Sequence, residues 1–370
     1  MTIADYPNYS GIGYSLGSDK ILESHVNASI IIVNYDGGEY ILACLQSLVN
    51  VIDDGVEIIV VDNASADDSP NLIKRAFPDI RMICSETNLG FGGGSNLGVR
   101  YARGKYLAFL NPDTIVEPGW LESLVQALEA KPNAGLATSK ILLMDDPNRI
   151  NTCGNNVHIT GLTLCRGMGQ SADTYPKLDE VSAISGAAFV VRRDLFDWLG
   201  GFDENFFLYM EDTDLSLRAR LAGYKCIFVP ESIVYHHYAL RFGFNKTFYQ
   251  ERNRYYILLK HFHWRTLIAT LPALLLTEVI AWGFSLLREP NRLNNKLNAY
   301  FSILSNLPDL YKRRKVVQGL RRVSDRKLLE THAWRLEITQ TGSGLLTHAA
   351  EILFNPLFAL CRYSLLILVW

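Results

Sequence analysis

The first third of the chain repeats one pattern, in which a short apolar run ends at small polar residues and a segment with helical spacing follows. The run at 29–33 stops at Asn34 and Tyr35, and the residues that follow carry apolar side chains at Ile41, Leu45 and Leu48. Alternation of buried strands and helices favours an α/β fold with a mostly parallel sheet flanked by helices. The predicted strands of this region are 29–33, 57–61, 81–84 and 105–110.

Polar residues follow three of these runs, namely the pair Asn34 and Tyr35, the pair Asp62 and Asn63, and the turn 111–113. Ligands of such sheets bind at the carboxyl ends of the strands. We therefore expect one site to use all three clusters.

Length and composition bound the remaining possibilities. A chain of 370 residues with 48% apolar residues suits about two domains with a sizeable core. A net charge of −2 gives no reason to expect nucleic acid as a partner. Six scattered cysteines without a C-x-x-C pair argue against zinc and favour reduced thiols, as in the cytoplasm. No secretory signal is visible in the first 25 residues.

Asp113 is a candidate metal ligand because it follows a predicted strand and the turn formed by Asn111 and Pro112. Carboxylate oxygens suit Mg²⁺ or Mn²⁺, which bridge diphosphate oxygens. The alternative is that Asp113 only caps the helix that contains Trp120. Asp62, at the end of another strand, is positioned to accept a hydrogen bond from a base or a ribose, or else to form a turn.

The segment 88–98 is rich in glycine and precedes a predicted helix, so a ligand could approach its backbone closely. Its glycine spacing does not match a dinucleotide fingerprint, and a flexible loop is the alternative.

Further along, Glu211, Asp212 and Asp214 stand together at a helix start. Neighbouring carboxylates raise each other's pKa, which suits a general base, and Asp212 is the candidate. His236 follows a predicted strand at 233–235 and is a candidate ligand of metal or diphosphate.

The order of these motifs resembles the family 2 inverting glycosyltransferases with a GT-A fold, in particular their rhamnosyltransferase-like branch. The resemblance covers roughly residues 28–240, and the motifs that carry it lie between Ile31 and Tyr224. The matching segments are 31–35, 60–65, 88–91, 96–98, 110–113, 185–187, 200–204, 206–212, 214–215, Arg218 and 223–224.

The resemblance implies roles for individual residues. Val33 and Tyr35 are implied to line the nucleobase pocket, and Asp62 to bind the base or the ribose. Gly90, Phe91 and Asn96 are implied to lie along the ribose, diphosphate and sugar. The other implied nucleotide-sugar-binding residues are Asn111, Ser185 and Gly186. Asp113 and His236 are the implied ligands of Mg²⁺ or Mn²⁺. The protein would supply only one carboxylate to this metal site.

The implied reaction is a single displacement that inverts the anomeric carbon. Asp212 takes the proton from the acceptor hydroxyl, and Glu211 orients the acceptor or binds its hydroxyls. The expected partners are a nucleoside-diphosphate sugar and a glycan or lipid-linked acceptor for cell-surface polysaccharide synthesis. A nucleotide-sugar pyrophosphorylase is one alternative, but the segment 34–38 lacks the basic residue that it needs. The other alternative is a non-catalytic, membrane-tethered nucleotide-sugar-binding module.

The last third of the chain differs in composition. The region 267–287 is almost wholly apolar except for Glu278, basic residues follow between 312 and 327, and a second apolar region runs from 352 to 370. Either a membrane span or an interfacial pair of helices fits this pattern. We therefore predict an N-terminal extension (1–27), a catalytic domain (28–262) and a helical, membrane-associating tail (263–370) at the cytoplasmic face of the plasma membrane.

Overall fold

The computed structural model describes residues 26–238, 246–288, 293–337, 340 and 344–369. The strands are β1 (Ala28–Asn34), β2 (Val56–Asp62), β3 (Arg81–Cys84), β4 (Tyr106–Leu110), β5 (Thr114–Val116), β6 (Ala134–Leu143), β7 (Ile150–Thr152), β8 (Asn155–Val157), β9 (Thr163–Cys165), β10 (Asp179–Val181), β11 (Ala188–Arg192) and β12 (Lys225–His236). The helices are α1 (Tyr40–Val49), α2 (Ser69–Ala76), α3 (Gly90–Val99), α4 (Trp120–Ala130), α5 (Arg193–Leu199), α6 (Glu211–Leu221), α7 (Lys246–His261), α8 (Trp264–Arg288), α9 (Leu293–Ser305), α10 (Leu307–Gly319), α11 (Asp325–Leu329) and α12 (Leu345–Leu368).

The main sheet has the strand order β10-β12-β6-β11-β4-β1-β2-β3. β1 runs parallel to β2 and β4, and β6 runs parallel to β12, whereas β11 is antiparallel to both of its neighbours. Along β1, Ile30 and Ile32 pack into the core beside α1 and α4, and Ile31 packs into the core on the other face, which includes residues of α5 and α6. The mostly parallel sheet covered by helices is therefore confirmed, and the predicted strands correspond to β1 through β4.

Glycines let α3 pack close to the sheet. A Cβ atom at Gly98 would lie 2.6 Å from Cγ2 of Ile31, and one at Gly94 would lie 2.8 Å from Cγ1 of Val33. Any larger residue at these positions would push α3 away from β1. The glycines at 94 and 98 thus serve helix–sheet packing, while Gly90 is the one that faces the cleft described below.

The region from 135 to 235 has more regular structure than its sequence indicated. It contains the long strands β6 and β12 and the helices α5 and α6, and the strand predicted at 233–235 is the end of β12. β7 through β10 are each three residues long, which is too short for a periodic pattern to be visible.

The C-terminal region is helical, as predicted. α7 packs against α9 and α10, and α8 packs against α12. In the described part of the chain, two helices are long and apolar enough to cross a membrane, at Trp264–Leu286 and Thr347–Leu368. The proposed boundary at 262/263 falls between α7 and α8, and most of the predicted N-terminal extension lies outside the described residues.

Candidate active site

A cavity of about 560 Å³ lies at the carboxyl ends of β1, β2 and β4. The side chains of Val33 and Tyr35 come from the end of β1, and Asn111 and Asp113 come from the turn after β4. Its lining residues are Val33, Tyr35, Asp36, Gly37, Tyr40, Asn63, Asn88, Gly90, Phe91, Asn111, Pro112, Asp113, Phe207, Leu208, Tyr209, Lys246 and Tyr249. The polar clusters predicted to meet at one edge of the sheet do so here.

A second cavity, of about 320 Å³, adjoins the first. It contains Ser185, Gly186, Glu211 and Asp212. The two cavities share the wall formed by Phe91, Asn111, Leu208, Tyr209 and Lys246. Asp113 and Asp212, far apart in the sequence, therefore lie in adjoining halves of one cleft.

Strand pairing places His236 beside Asp113. β5 pairs with β12 so that Thr114 lies opposite His236, and Nε2 of His236 is 3.2 Å from Oδ1 of Asp113. The other ring nitrogen, Nδ1, is 2.9 Å from Oδ1 of Asn151, which orients the imidazole. The alternative role of Asp113 as a helix cap is excluded, because Gly119 occupies the N-cap of α4.

The Asp113 site is compatible with a divalent metal whose other ligands come from a substrate. Oδ1 of Asp113 is buried and accepts no well-formed hydrogen bond from the described residues, although Nε2 of His236 lies 3.2 Å away, so a carboxylate oxygen and an imidazole nitrogen stand side by side. No group of three or more His, Cys, Asp or Glu side chains that could hold a metal exists among the described residues. Mg²⁺ characteristically binds through one or two carboxylates plus substrate phosphates, which suits this sparse arrangement.

Asp212 lies at the start of α6, where several donors converge on its carboxylate. Oδ2 accepts hydrogen bonds from the backbone N–H of Gly186 at 2.8 Å and from Nδ2 of Asn155 at 3.2 Å. Oδ1 accepts one from the backbone N–H of Thr213 at 2.6 Å. Burial raises the pKa of Asp212 above its ordinary value, while these donors favour its ionised form. An oriented carboxylate with a raised pKa is suited to act as a base.

Glu211 is the member of the pair whose surroundings favour the protonated form. Burial and the neighbouring charge of Asp212 raise its pKa to about 8. Its Oε2 is buried and has no hydrogen-bond partner in the part of the chain that the structure describes. Because the donors collect on Asp212, we assign the negative charge of the pair to Asp212 and the proton to Glu211.

Asp62, Asn96 and His236 do not line either cavity, as far as the described residues define the walls. Asp62 is buried and accepts a hydrogen bond from Nδ2 of Asn34 at 3.3 Å. Asn96 accepts a hydrogen bond from the N–H of Phe202 at 2.9 Å and donates one to its carbonyl at 3.0 Å, which ties α3 to the loop before α6. Their roles at a substrate therefore remain predictions.

Asn63 organises the start of α3. Its Oδ1 accepts from the N–H of Leu89 at 2.9 Å, and its Nδ2 donates to Oδ1 of Asn88 at 3.0 Å. It lines the larger cavity directly after Asp62. The sequence placed Asn63 in one of the three polar clusters expected at the site but gave it no individual role.

The wall shared by the two cavities includes a strained loop. Phe207, Tyr209 and Met210 have φ angles of 61°, 67° and 69°, which are unusual for residues other than glycine. Such conformations persist only where the surroundings impose them, and they concentrate at functional sites. Here the buried side chain of Asn253 on α7 donates hydrogen bonds to the carbonyls of Phe206, Leu208 and Tyr209.

Comparison with known proteins agrees with this arrangement. The family model "Glycosyl transferase family 2" matches residues 29–199. Rhamnosyltransferase WbbL of Escherichia coli is 30% identical over 59% of this chain and 87% of its own length. An N-acetylglucosaminyl-diphospho-decaprenol L-rhamnosyltransferase of Mycobacterium tuberculosis is 28% identical over 57% of this chain and 76% of its own. The chain belongs to glycosyl transferase family 2.

Solved structures agree on the fold. The crystal structure of GalNAc-T7 with UDP, GalNAc and Mn²⁺ matches with a TM-score of 0.55 at 17% identity. The match covers 68% of this chain and 51% of that one. The GT-A fold inferred from the order of motifs is thus confirmed, and the protein is a family 2 glycosyltransferase with rhamnosyltransferase relatives.

Proposed function

We propose that this glycosyltransferase moves rhamnose from a nucleoside-diphosphate donor, such as dTDP-rhamnose, to a hydroxyl group of a lipid-linked glycan, with inversion at the anomeric carbon. The observation that carries the proposal is the divided cleft, with Asp113 in one half and Asp212 in the other. The names of the two relatives support the choice of sugar, and the Mycobacterium relative also supports a lipid-linked acceptor.

The larger cavity is the proposed donor site. Tyr35 is half-exposed at its wall and offers an aromatic face to a nucleobase, with Val33 beside it. Asn111 and Asp113 lie toward the diphosphate, and Lys246 lines both halves of the cleft. Asp113 and His236 would hold a Mg²⁺ or Mn²⁺ ion, which offsets the charge that develops on the leaving diphosphate.

The smaller cavity is the proposed acceptor site. Asp212 takes the proton of the acceptor hydroxyl as that oxygen attacks the anomeric carbon, and the nucleoside diphosphate leaves from the opposite face. The N–H of Gly186 and the amide of Asn155 hold the carboxylate in position throughout. With the proton assigned to Glu211, its carboxyl donates a hydrogen bond to the acceptor, since its Oε2 has no hydrogen-bond partner among the described residues.

The proposed place of action is the cytoplasmic face of a membrane. Two long apolar helices and the lipid-linked substrate of a relative support membrane association. All six cysteines are free of disulfides, which suits a reducing compartment. Gln340, which precedes α12 in the sequence, lines the proposed acceptor site.

A donor panel tests the function. The full-length chain is assayed with dTDP-rhamnose, UDP-galactofuranose, UDP-hexoses and GDP-sugars on a polyprenyl-diphosphate-linked N-acetylglucosamine acceptor, with and without EDTA. We expect transfer from dTDP-rhamnose, loss of transfer in EDTA, and inverted anomeric configuration in the product by NMR. A product of retained configuration, or transfer from every donor except dTDP-rhamnose, would contradict the proposal.

A further inference from the structure

One face of α8 presents apolar side chains to solvent. Ile268, Leu275 and Val279 are 67%, 68% and 61% exposed, and Trp264, Leu271 and Leu286 are each more than half exposed. Spacings of three and four residues place these side chains on one side of the helix. Only 22% of the most apolar 18-residue stretch of α8 is buried inside the protein, so α8 is not a core helix.

α12 repeats this arrangement and packs against α8. Ile352, Leu360, Tyr363 and Ile367 are all more than 60% exposed, and 17% of the most apolar 18-residue stretch of α12 is buried. Two packed helices of 25 and 24 residues therefore expose a large apolar surface. Monomeric soluble proteins rarely expose apolar patches of this extent, which mark sites of contact with a protein or a membrane.

The middle of α8 is attached to the catalytic domain. Glu278 pairs with Arg254 of α7 and with Nζ of Lys296 of α9 at 3.1 Å, and it accepts hydrogen bonds from the hydroxyls of Tyr255 and Tyr300. α7 begins at the cleft and also holds the strained loop through Asn253. The charged residue in the apolar sequence of α8 therefore faces protein partners, two of which lie on the helix that reaches the cleft.

The middle of α12 is attached as well. The ring of Phe358 lies edge-on to that of His158, with centroids 4.7 Å apart, and both residues are buried. Asn355 bonds to the backbone of Leu336 through both its oxygen and its nitrogen. A transmembrane helix has its middle about 15 Å from either edge of the hydrocarbon core, which is about 30 Å thick. Neither helix can cross a bilayer while its middle remains attached to a domain in water.

Basic side chains lie beside the apolar surface. The guanidinium of Arg314 stacks over the ring of Trp264 at 4.4 Å, which places α10 next to the start of α8. Lys312 and Lys315, on the neighbouring positions of α10, and Arg265 of α8 are exposed. A half-exposed tryptophan with adjacent cations is typical of the boundary between lipid headgroups and acyl chains.

We propose that α8 and α12 lie flat in the headgroup region of an anionic bilayer, with their apolar faces toward the acyl chains, and that neither helix crosses it. The proposal deepens the membrane association stated above and gives the enzyme a fixed orientation. Amphipathic helices of this kind bury their apolar face about 5–10 Å into the boundary.

Vesicle sedimentation tests the surface. The full chain is mixed with vesicles of phosphatidylcholine alone or with phosphatidylglycerol, and the double variant Ile268→Glu/Leu275→Glu is compared with the control Val49→Glu/Tyr101→Glu, which alters exposed apolar residues of the catalytic domain. We expect the wild type and the control to bind the anionic vesicles, and the double variant to bind about tenfold more weakly or worse. Equal binding of all three proteins, or association of the chain into a dimer through this face without vesicle binding, would overturn the proposal.

Depth measurement separates a flat helix from a spanning one. Single cysteines at positions 268, 275 and 286, in a background carrying Cys84→Ser and Cys361→Ser, are labelled with a fluorophore and quenched by lipids with spin labels at known depths. A flat α8 gives the same shallow depth at all three positions. A label at 275 near the bilayer centre, with shallower labels at the ends, would show a span and refute the proposal. Transfer to a short soluble acceptor is measured in parallel, so that failure of the catalytic proposal is recognised separately.

Discussion

Nδ2 of Asn253 lies 2.7 Å from the carbonyl oxygen of Tyr209, and this hydrogen bond joins helix α7 to the loop between the two halves of the cleft. The same amide nitrogen reaches the carbonyls of Phe206 and Leu208 at 3.1 and 3.0 Å. Through one buried side chain, α7 thus holds the conformation of a loop that lines both halves of the cleft.

We expect Asn253→Leu to lower the free energy of unfolding by about 1–3 kcal/mol, because it leaves buried carbonyls without a donor. Relaxation of the loop should lower kcat about 10- to 100-fold, because small displacements of reacting groups are costly. Urea unfolding and steady-state kinetics measure the two effects. Asn298→Leu, at an exposed position on α9, is the matched control. If kcat is unchanged in a destabilised variant, Asn253 has a purely structural role.

Asp212→Asn should reduce turnover by about 10²–10⁴-fold, the usual contribution of a general base. Donor binding should persist, because Asp212 lines the proposed acceptor half of the cleft rather than the donor half. Calorimetry gives the donor Kd, and single-turnover assays give the rate. A variant with weakened donor binding and normal turnover would rule out the assignment.

Glu211 should make the stability of the protein depend on pH. Its pKa is raised from 4.5 to about 8 by burial and by Asp212, so the folded protein retains a proton that the unfolded chain releases. The resulting stability is fully present below about pH 4.5 and is lost as the pH rises through about 8.

Glu211→Gln, which stays neutral, should therefore gain stability relative to the wild type between about pH 5 and pH 9, by about 1 kcal/mol or more. Denaturant unfolding at several pH values measures the difference, and Glu86→Gln at an exposed position is the control. A difference that does not vary with pH would mean that Glu211 titrates normally.

Asp113→Asn should remove the effect of metal on donor binding. The wild type should show greater thermal stabilisation by nucleoside diphosphate with Mn²⁺ than with EDTA, because the carboxylate at the donor cavity and the diphosphate share the ion. The variant should give the same stabilisation in both conditions. Asp145→Asn is the matched control, since Asp145 is exposed beside His237 at 3.7 Å. Equal Mn²⁺ dependence in the wild type and Asp113→Asn would exclude Asp113 as a ligand.

Lys260→Met should destabilise the fold by about 3–5 kcal/mol, because it removes the buried cation shared by Asp203 and Asp214, which then keep only Arg313 and Arg218 as cationic partners. Nζ of Lys260 lies 2.5 Å from Asp203 and 2.6 Å from Asp214. Although burial opposes the charge of Asp214, Lys260 and Arg218 hold its pKa below the ordinary value, so this stability is lost as the pH falls through that lowered pKa. Lys105→Met, which breaks an exposed pair with Glu129, should cost at most about 1 kcal/mol. Similar losses in the two variants would contradict this interpretation.

Local sequence patterns determined the elements and their order. The strands β1 to β4, the helix α1 and the polar residues after each strand follow from hydrophobic periodicity and turn residues, which act over a few neighbouring positions. These patterns also predicted that Tyr35, Asn111 and Asp113 would meet at one edge of the sheet. The apolar and basic segments of the tail were visible as well, but without a choice between a membrane span and an interfacial pair of helices.

Tertiary structure alone decided the features that depend on distant partners. His236 reaches Asp113 through the pairing of β5 with β12. α7, which packs against α6, brings Lys246 to the cleft and Asn253 to the loop that lines it. The proton on Glu211 and the orientation of Glu278 toward Arg254 likewise depend on burial and on charges brought together from remote segments. Periodicity records which side of an element is buried, but it does not record what that side will contact.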